Sequence, residues 1–435
     1  MSLDRRMLLG LGAGALLAPA LPGHAQTPTP TTVLRCAWWG GAGRHASTLK
    51  AIALFEARNP GVKVKCEYMG FHGYLERLTM QIAGRSEPDV MQINWAWLAM
   101  FSKRGNGFLD LNPYHAVLDL DQFAPLDLDA GRVAGKLNAL PASYTARVLL
   151  WNQSTFERAG LAVPRTWDEL FAAGPLFRTR LGEQAYPLDG ELYDMVLLAQ
   201  AYVQQKYGTA YVDPQAPRVA MDSAAALEWV QTYRRLVDLH VATPLRLRAS
   251  LGGAEKPTEQ QQDWVAGNWA GNFAWDSAIP LRASTLKAPQ RLVLGDFPML
   301  PGSRVSGMFG RPSVMFAAGR NTRQPELAAR LVNFLLTDPD AARILGKTRG
   351  LPSAQRQRTV VLQTQQLPAI ELAAQAQIQQ QRDAHRVPVP APLFEHARLH
   401  RFLREVFERV AYGKTTDQAA ATRLIDEGNA LLKRL

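Results

Sequence analysis

Three groups of side chains in the first quarter of the sequence combine flat aromatic rings with hydrogen-bonding groups. They are Trp38 and Trp39 with Arg44 and His45, Phe71 with His72, and Asn94 with Trp95 and Trp97. Indole beside guanidinium, imidazole and amide makes a surface for a ring that is apolar on its face and polar at its rim. A sugar is such a ring. The chemistry recurs further along in Tyr144 and Arg147, in Trp275 and Asp276, in Arg311 between Gly310 and Pro312, and in Arg349 before Gly350. An arginine offers a planar fork that matches a carboxylate.

The elements around the first three groups follow a regular order. Apolar or alternating runs at 33–39, 62–68 and 89–94 read as strands. Helical patterns lie between them, one through Leu49, Ile52, Ala53 and Phe55, the other through Leu75, Leu78, Ile82 and Ala83. Strand and helix in alternation predict a parallel sheet with right-handed crossovers. Ligands of such sheets bind beyond the carboxyl ends of the strands, where all three aromatic groups fall. Trp39, Trp95 and Trp275 are therefore expected to share one groove. Trp167 and Trp229 lie on helix faces and read as packing.

A long extended run over 140–152 follows the first α/β unit and predicts a passage into a second domain. Thr166 with Glu169 three residues on is a capping box opening a helix. Residues 266–276 read as a strand ending at Trp275 and Asp276, and 312–316 as another. The helix after Glu326 points Leu327, Leu331, Phe334 and Leu335 inward. The expected fold is α/β with two lobes, each a mainly parallel sheet flanked by helices. The first lobe takes 33–141 plus 302–345, and the second 152–295 plus 351–435. Hinge crossovers fall at 142–151, 296–301 and 346–350.

The chain has 435 residues, 47% of them hydrophobic, enough for two cores. Arg5-Arg6 before an apolar run from Met7 to Leu17, with Gly23-His24-Ala25 beyond, predicts an export signal over 1–25. Paired arginines permit the twin-arginine route as well as the ordinary one, although Asp4 departs from the former's motif. Cys36 lies too far along to be a lipid anchor, and no later segment has the apolar length of a membrane span. A soluble, monomeric, periplasmic protein is expected. The net charge of +11 suits an acidic ligand, with solubility alone as the plainer reading. No dense Lys/Arg run argues for nucleic acid. Cys36 and Cys66 are favoured as thiols, because neighbouring parallel strands seldom give disulfide geometry.

Five motifs, in order along the chain, resemble the extracellular solute-binding proteins that feed ABC sugar importers. Phe55-Glu56 with Asn59-Pro60-Gly61-Val62-Lys63-Val64 is the first. Tyr74 to Leu78 with Gln81-Ile82-Ala83-Gly84 and Pro88-Asp89-Val90 is the second, and Pro164 to Leu170 around Trp167 the third. Asn333-Phe334-Leu335-Leu336-Thr337-Asp338 and Gly350-Leu351-Pro352 complete the set. The chain departs from the family at Gly267-Asn268-Trp269-Ala270-Gly271-Asn272, in place of a Gly-Xaa-Ala-Ala-Met element. Trp38-Trp39-Gly40-Gly41, Met91 to Leu98 and Phe101-Ser102-Lys103 look most like the binders of oligogalacturonides. The resemblance implies a periplasmic-binding-protein fold, an acidic oligosaccharide held by hinge closure, a membrane permease as partner, and no cofactor. A uronate carboxylate would find its arginine among Arg44, Arg147, Arg311 and Arg349.

Two enzymatic readings compete. Gly41-Ala42-Gly43-Arg44-His45-Ala46 with Glu67 mimics a dinucleotide fingerprint, which would make the chain an exported oxidoreductase. Trp38-Trp39 crowds the place where a pyrophosphate needs open backbone. A carbohydrate hydrolase needs two carboxyl groups across a cleft, for which Asp189, Glu191, Asp194 and Asp276 could be proposed, but no spacing fixes a pair. His396 and His400 with Glu395 could face a metal on one helix side, but no third ligand is evident.

Overall fold

The computed structural model describes residues 31–435. The export-signal reading lies outside these residues. Seven strands carry the architecture: β1 Thr32–Trp39, β2 Val62–Met69, β3 Val90–Ile93, β4 Leu140–Asn152, β5 Gly271–Trp275, β6 Leu292–Leu294 and β7 Gly310–Ala318. They form one sheet in the order β2-β1-β3-β7-β4-β5, with β6 added on β4. Helices α1 (Ala42–Arg58) and α2 (Tyr74–Ala83) cross between β1, β2 and β3, which run parallel as those connections require. The remaining pairs, β3 with β7 and β4 with β5, β6 and β7, are antiparallel. The two-lobed α/β class holds; among the seven strands of the described residues parallel pairing joins β1 to β2 and β3, and the second lobe adds the parallel bridges Tyr186–Trp269 and Leu188–Ala242.

Two hydrophobic cores share this sheet. One gathers Leu34, Ile52, Phe55, Val90 and Ile93 with Leu140, the far end of β7 and Leu331 and Leu335 of a C-terminal helix. The other gathers Val148, Leu150, Phe156, Trp229, Phe273, Met308, Phe309 and Phe407. Thirteen-residue β4 serves both: its first half pairs with β7, and Arg147–Trp151 pairs with β5. A single strand passing between cores is stiff along its length and can bend only where pairing is irregular. The register between β4 and β7 shifts on either side of Ser143.

Further helices set the site. They are α3 (Trp97–Phe101), α4 (Pro125–Ala130), α5 (Trp167–Leu181), α6 (Leu192–Tyr207), α7 (Pro325–Thr337), α8 (Ala369–Asp383) and α9 (Ala397–Ala411). The capping box that opens α5 is present: the Thr166 hydroxyl accepts from Glu169 N–H, and the Glu169 carboxylate accepts from Thr166 N–H, both at 3.2 Å. Cys36 and Cys66 lie opposite each other on β1 and β2 as free thiols. Burial pushes both up, the half-buried Cys66 to about 11.

Between α8 and α9 the chain runs through Val387-Pro388-Val389-Pro390-Ala391-Pro392. Alternate prolines fix an extended backbone without internal hydrogen bonds. This strap lies along the junction of the cores, lining one small cavity together with Trp95, Leu126 and Ala130 and another with Gln200 and Gln204. A buried ion pair reinforces it: Arg382 Nη2 at the end of α8 donates to Asp127 of α4 at 2.6 Å, with Tyr144 beneath the guanidinium.

Candidate functional site

A cleft of about 440 Å³ opens between the two cores. Its floor follows from strand register. Arg311 of β7 stands opposite Thr145 of β4, and Trp275 of β5 stands opposite Arg147. Thr145 and Arg147 are two residues apart, so they and their cross-strand partners leave one face of the sheet. The result is an indole flanked by two guanidinium groups, with Arg147 Cζ 4.9 Å and Arg311 Cζ 4.8 Å from the Trp275 ring centre. Such contacts hold cations in place while leaving their N–H groups available.

The two arginines are anchored differently. Arg147 is almost wholly buried; its Nη1 donates to the Asp194 carboxylate in the first turn of α6 and to the Phe273 carbonyl at 3.0 Å. Its Nε, also buried, has no protein partner. Arg311 is paired with Glu395, just past the proline strap, and its Nη1 donates to the Pro312 carbonyl at 3.0 Å. Gly310 is required beside it: a Cβ there would lie 2.3 Å from the Tyr144 hydroxyl.

The opposite wall comes from the first core. Asn94, Ala96, Trp97 and Met100 line it, with Leu75 of α2. The Trp97 ring is backed by Trp39 at 5.2 Å and by Tyr74 at 6.0 Å, nearly parallel to the latter. Asn94 turns its carbonyl oxygen to Ala96 N–H at 3.0 Å, which leaves its amide N–H groups as donors. Tyr193, His396 and His400 close the second wall. Tyr193 Oη is buried without a protein partner, and its ring lies 4.0 Å from that of His400. Burial holds both histidines below the ordinary imidazole range. His396 Nδ1 accepts from Arg398 N–H at 3.3 Å and so caps α9. Among the described residues no three metal-ligating side chains converge.

Of the side chains expected at the site, Asn94, Trp97, Arg147, Trp275 and Arg311 line this cleft. The others are placed elsewhere. Trp38 and Trp39 alternate across β1, so only one could face any groove. Trp38 is fully buried, donates to His45 Nδ1 at 3.1 Å and stacks on Tyr68. Trp39 stands behind Trp97 rather than in the opening. Trp95 is also fully buried, its indole N–H donating to the Ala130 carbonyl at 3.0 Å. The shared groove expected for Trp39, Trp95 and Trp275 is thus corrected to Trp97 and Trp275 on facing walls.

His72 is exposed on the turn before α2. Arg44 donates to the Trp39 carbonyl at 3.1 Å and the Thr348 carbonyl at 2.9 Å, tying α1 to the 345–350 segment. Arg349 is buried against Gln92 at 2.8 Å and Thr48 at 2.9 Å. Tyr144 lies under Arg382 in the hinge region, and Asp276 accepts from Thr145, Ala146 N–H and Gln375, a tie between β4 and α8. Tyr193 escaped notice in the sequence, since a tyrosine in a helical run carries no mark. Glu395, His396 and His400 were noticed only for metal binding, because nothing in the spacing connects them to a cleft floor made some 80–250 positions earlier.

Most of the residues named for the two enzymatic readings, Glu191 apart, are engaged within the scaffold. Arg44 folds over Gly40, where a Cβ would lie 2.5 Å from Arg44 Cδ, and so fills the glycine-rich turn. Glu67 is engaged by Arg35 and Arg77. Asp189 is sealed with Arg248, Asp194 with Arg147, and Asp276 with Thr145. Glu395 is the one carboxylate among the side chains lining the cleft.

The profile of the bacterial extracellular solute-binding proteins matches residues 41–342. The chain belongs to that family. It is 37% identical to a periplasmic oligogalacturonide-binding protein of Yersinia enterocolitica, with a TM-score of 0.86 over 93% of this chain and 99% of the other. A chain described as the de novo designed cysteine esterase ECH19 is as similar, at 36% identity and a TM-score of 0.86 over 94% and 99%. A protein of Brucella abortus (strain 2308) described only as a binding protein is 27% identical over 192 residues, 44% of this chain and 46% of that one. The chain thus matches less than half the length of that curated relative. Family members are extracellular or periplasmic binding proteins of ABC transporters. Among the described residues no helix is long and apolar enough to cross a membrane.

Proposed function

We propose that the chain is the periplasmic substrate-binding component of an ABC importer and that it captures an oligosaccharide bearing uronic acid groups, an oligogalacturonide being the best fit. The observation that carries this reading is Trp275 set between Arg147 and Arg311 on the floor of a cleft whose other wall presents Trp97 and Asn94. Indole takes the apolar face of a pyranose, guanidinium takes a carboxylate in a charge-assisted pair, and Asn94 and Tyr193 serve the hydroxyls. A net charge of +11 draws an anion toward the cleft. The Yersinia protein, also solved with saturated digalacturonic acid, is similar over 92% of this chain at 37% identity.

Closure follows from the placement of these groups. Trp97 and Asn94 stand on one core, and Trp275 and Arg147 on the other, so a ligand contacts both sets only when the lobes are together. Crossings near 142–146, 310–313 and after Ala354 are favoured here over 296–301 and 346–350, since Met308 and Phe309 pack with the second core and Ala354 with the first. The closed monomer is the form a membrane permease would accept. The proposed role leaves the sugar unchanged, in keeping with a family of binding proteins.

The test is calorimetric titration of the mature chain with digalacturonate and with neutral galactobiose, followed by chromatography of the recovered sugar. Saturable one-to-one binding of intact digalacturonate, tighter than galactobiose, is expected. Absence of uronate binding, or its shortening with time, would contradict the proposal.

A further inference from the structure

The charge arrangement in the cleft holds a feature that anion capture alone does not require. Arg311, the less buried of the two guanidinium groups, already has a carboxylate against its Nε edge. Glu395 comes from the short helical turn that ends the proline strap, and the pair is largely covered, with side-chain exposures of 13% and 16%. Arg147 differs, since its partner Asp194 is sealed beneath the floor and belongs to the scaffold. A ligand carboxylate arriving at the Nε edge of Arg311 therefore meets the protein's own anion.

We infer that Glu395 is an internal stand-in for the ligand carboxylate and sets how strongly the cleft prefers acidic over neutral sugars. This rests on the function proposed above. While the cleft is empty, Glu395 neutralises Arg311, which would otherwise be a poorly solvated, unpaired cation. Binding of a uronate exchanges one carboxylate for another on the same guanidinium. The gain is only the difference between two similar pairs, and the displaced Glu395 stays close enough to repel the newcomer. A neutral sugar does not compete for Arg311 and meets neither penalty. Glu395 thus lowers the discrimination that two arginines would otherwise give, which keeps an anionic ligand releasable at the permease. Its position just beyond Pro388, Pro390 and Pro392 holds the carboxylate on a stiff support at the lobe junction.

The experiment compares wild type with Glu395→Gln, an isosteric change that keeps the hydrogen-bonding end of the side chain. Dissociation constants for digalacturonate and galactobiose are measured by calorimetry at one fixed salt concentration, with thermal melts of the unliganded proteins alongside. E395Q is expected to raise the preference for digalacturonate at least fivefold, chiefly through slower release in stopped-flow fluorescence, and to melt no higher than wild type. A preference unchanged or reduced in a folded E395Q, with wild type binding digalacturonate, overturns the stand-in role and leaves the proposed function intact. If wild type binds no uronate, both fall. Should E395Q fail to fold, Glu395→Asp, which draws the carboxylate back by one methylene, must raise the same ratio for the inference to survive.

Discussion

The two sides of the cleft use the same residue types for opposite ends. On the first side Trp38 and Trp95 are wholly buried, each with its indole N–H spoken for, by His45 and by the Ala130 carbonyl. On the second side Trp275 remains half-buried at the end of β5, with two guanidinium groups against its ring. What separates them is the neighbours. Trp38 and Trp95 are covered by the groups packed round them, whereas Trp275 lies beside two guanidinium groups at the cleft floor. Being at the end of a strand is not enough to put an indole in a binding site.

The comparison can be broken most forcefully by truncating a buried member. Trp95→Ala should cost about 3–5 kcal/mol in urea unfolding, the range for a fully buried large side chain, while the folded fraction keeps near wild-type sugar affinity. Arg147→Ala should destabilise on a similar scale, about 3–5 kcal/mol, because it strands the Asp194 carboxylate in the interior. Arg311→Gln should destabilise less than Arg147→Ala, because it leaves the less buried Glu395 unpaired, and should weaken digalacturonate by about tenfold, with a smaller loss for galactobiose in the same titrations. Trp275→Ala should weaken both sugars about tenfold by removing the support of both guanidinium groups, with a melting temperature near wild type. Equal affinity losses from Trp95→Ala and Trp275→Ala would erase the distinction between the two sides.

The smallest effect concerns pH. Burial holds His400 below its ordinary value of 6.5, beside Arg404 and Arg147, so the unfolded chain binds a proton there that the folded chain refuses. Stability from the neutral ring is present above that ordinary value and is lost as pH falls below it. Replacing His400 with Gln should flatten the decline in melting temperature between pH 7.5 and 5.5 relative to wild type. A steeper decline in the variant would reverse the sign assigned to this group.

Local signals carried much of the fold. The strand–helix alternation over β1–β3 and the capping box of α5 are determined by residues within a few positions of each other, and both are found where the spacing puts them. The site was legible in part. Asn94, Trp97, Arg147, Trp275 and Arg311 could be picked out because they lie near strand ends and entries or on the long 140–152 strand. That Trp38 and Trp39 cannot face the same way was also readable, since side chains alternate along a strand. The fate of Trp95 was not, because Ala130 arrives from α4 with no sequence relation to it. Nor was the service of Asp276, whose partners Thr145 and Gln375 lie 131 and 99 positions away. Glu395 and His400 reach the cleft only because the proline strap leads α9 across the junction, a matter of tertiary path rather than of motif.

The account turns on whether an acidic sugar rests intact against Trp275 with its carboxylate at Arg311. The most direct measurement is a crystal structure of the chain grown with saturated digalacturonic acid. An unbroken disaccharide between Trp97 and Trp275, with a carboxylate oxygen in hydrogen-bond contact with the Arg311 guanidinium, is the expected result. A sugar seated outside the cleft, or one whose carboxylates avoid both Arg147 and Arg311, would contradict it.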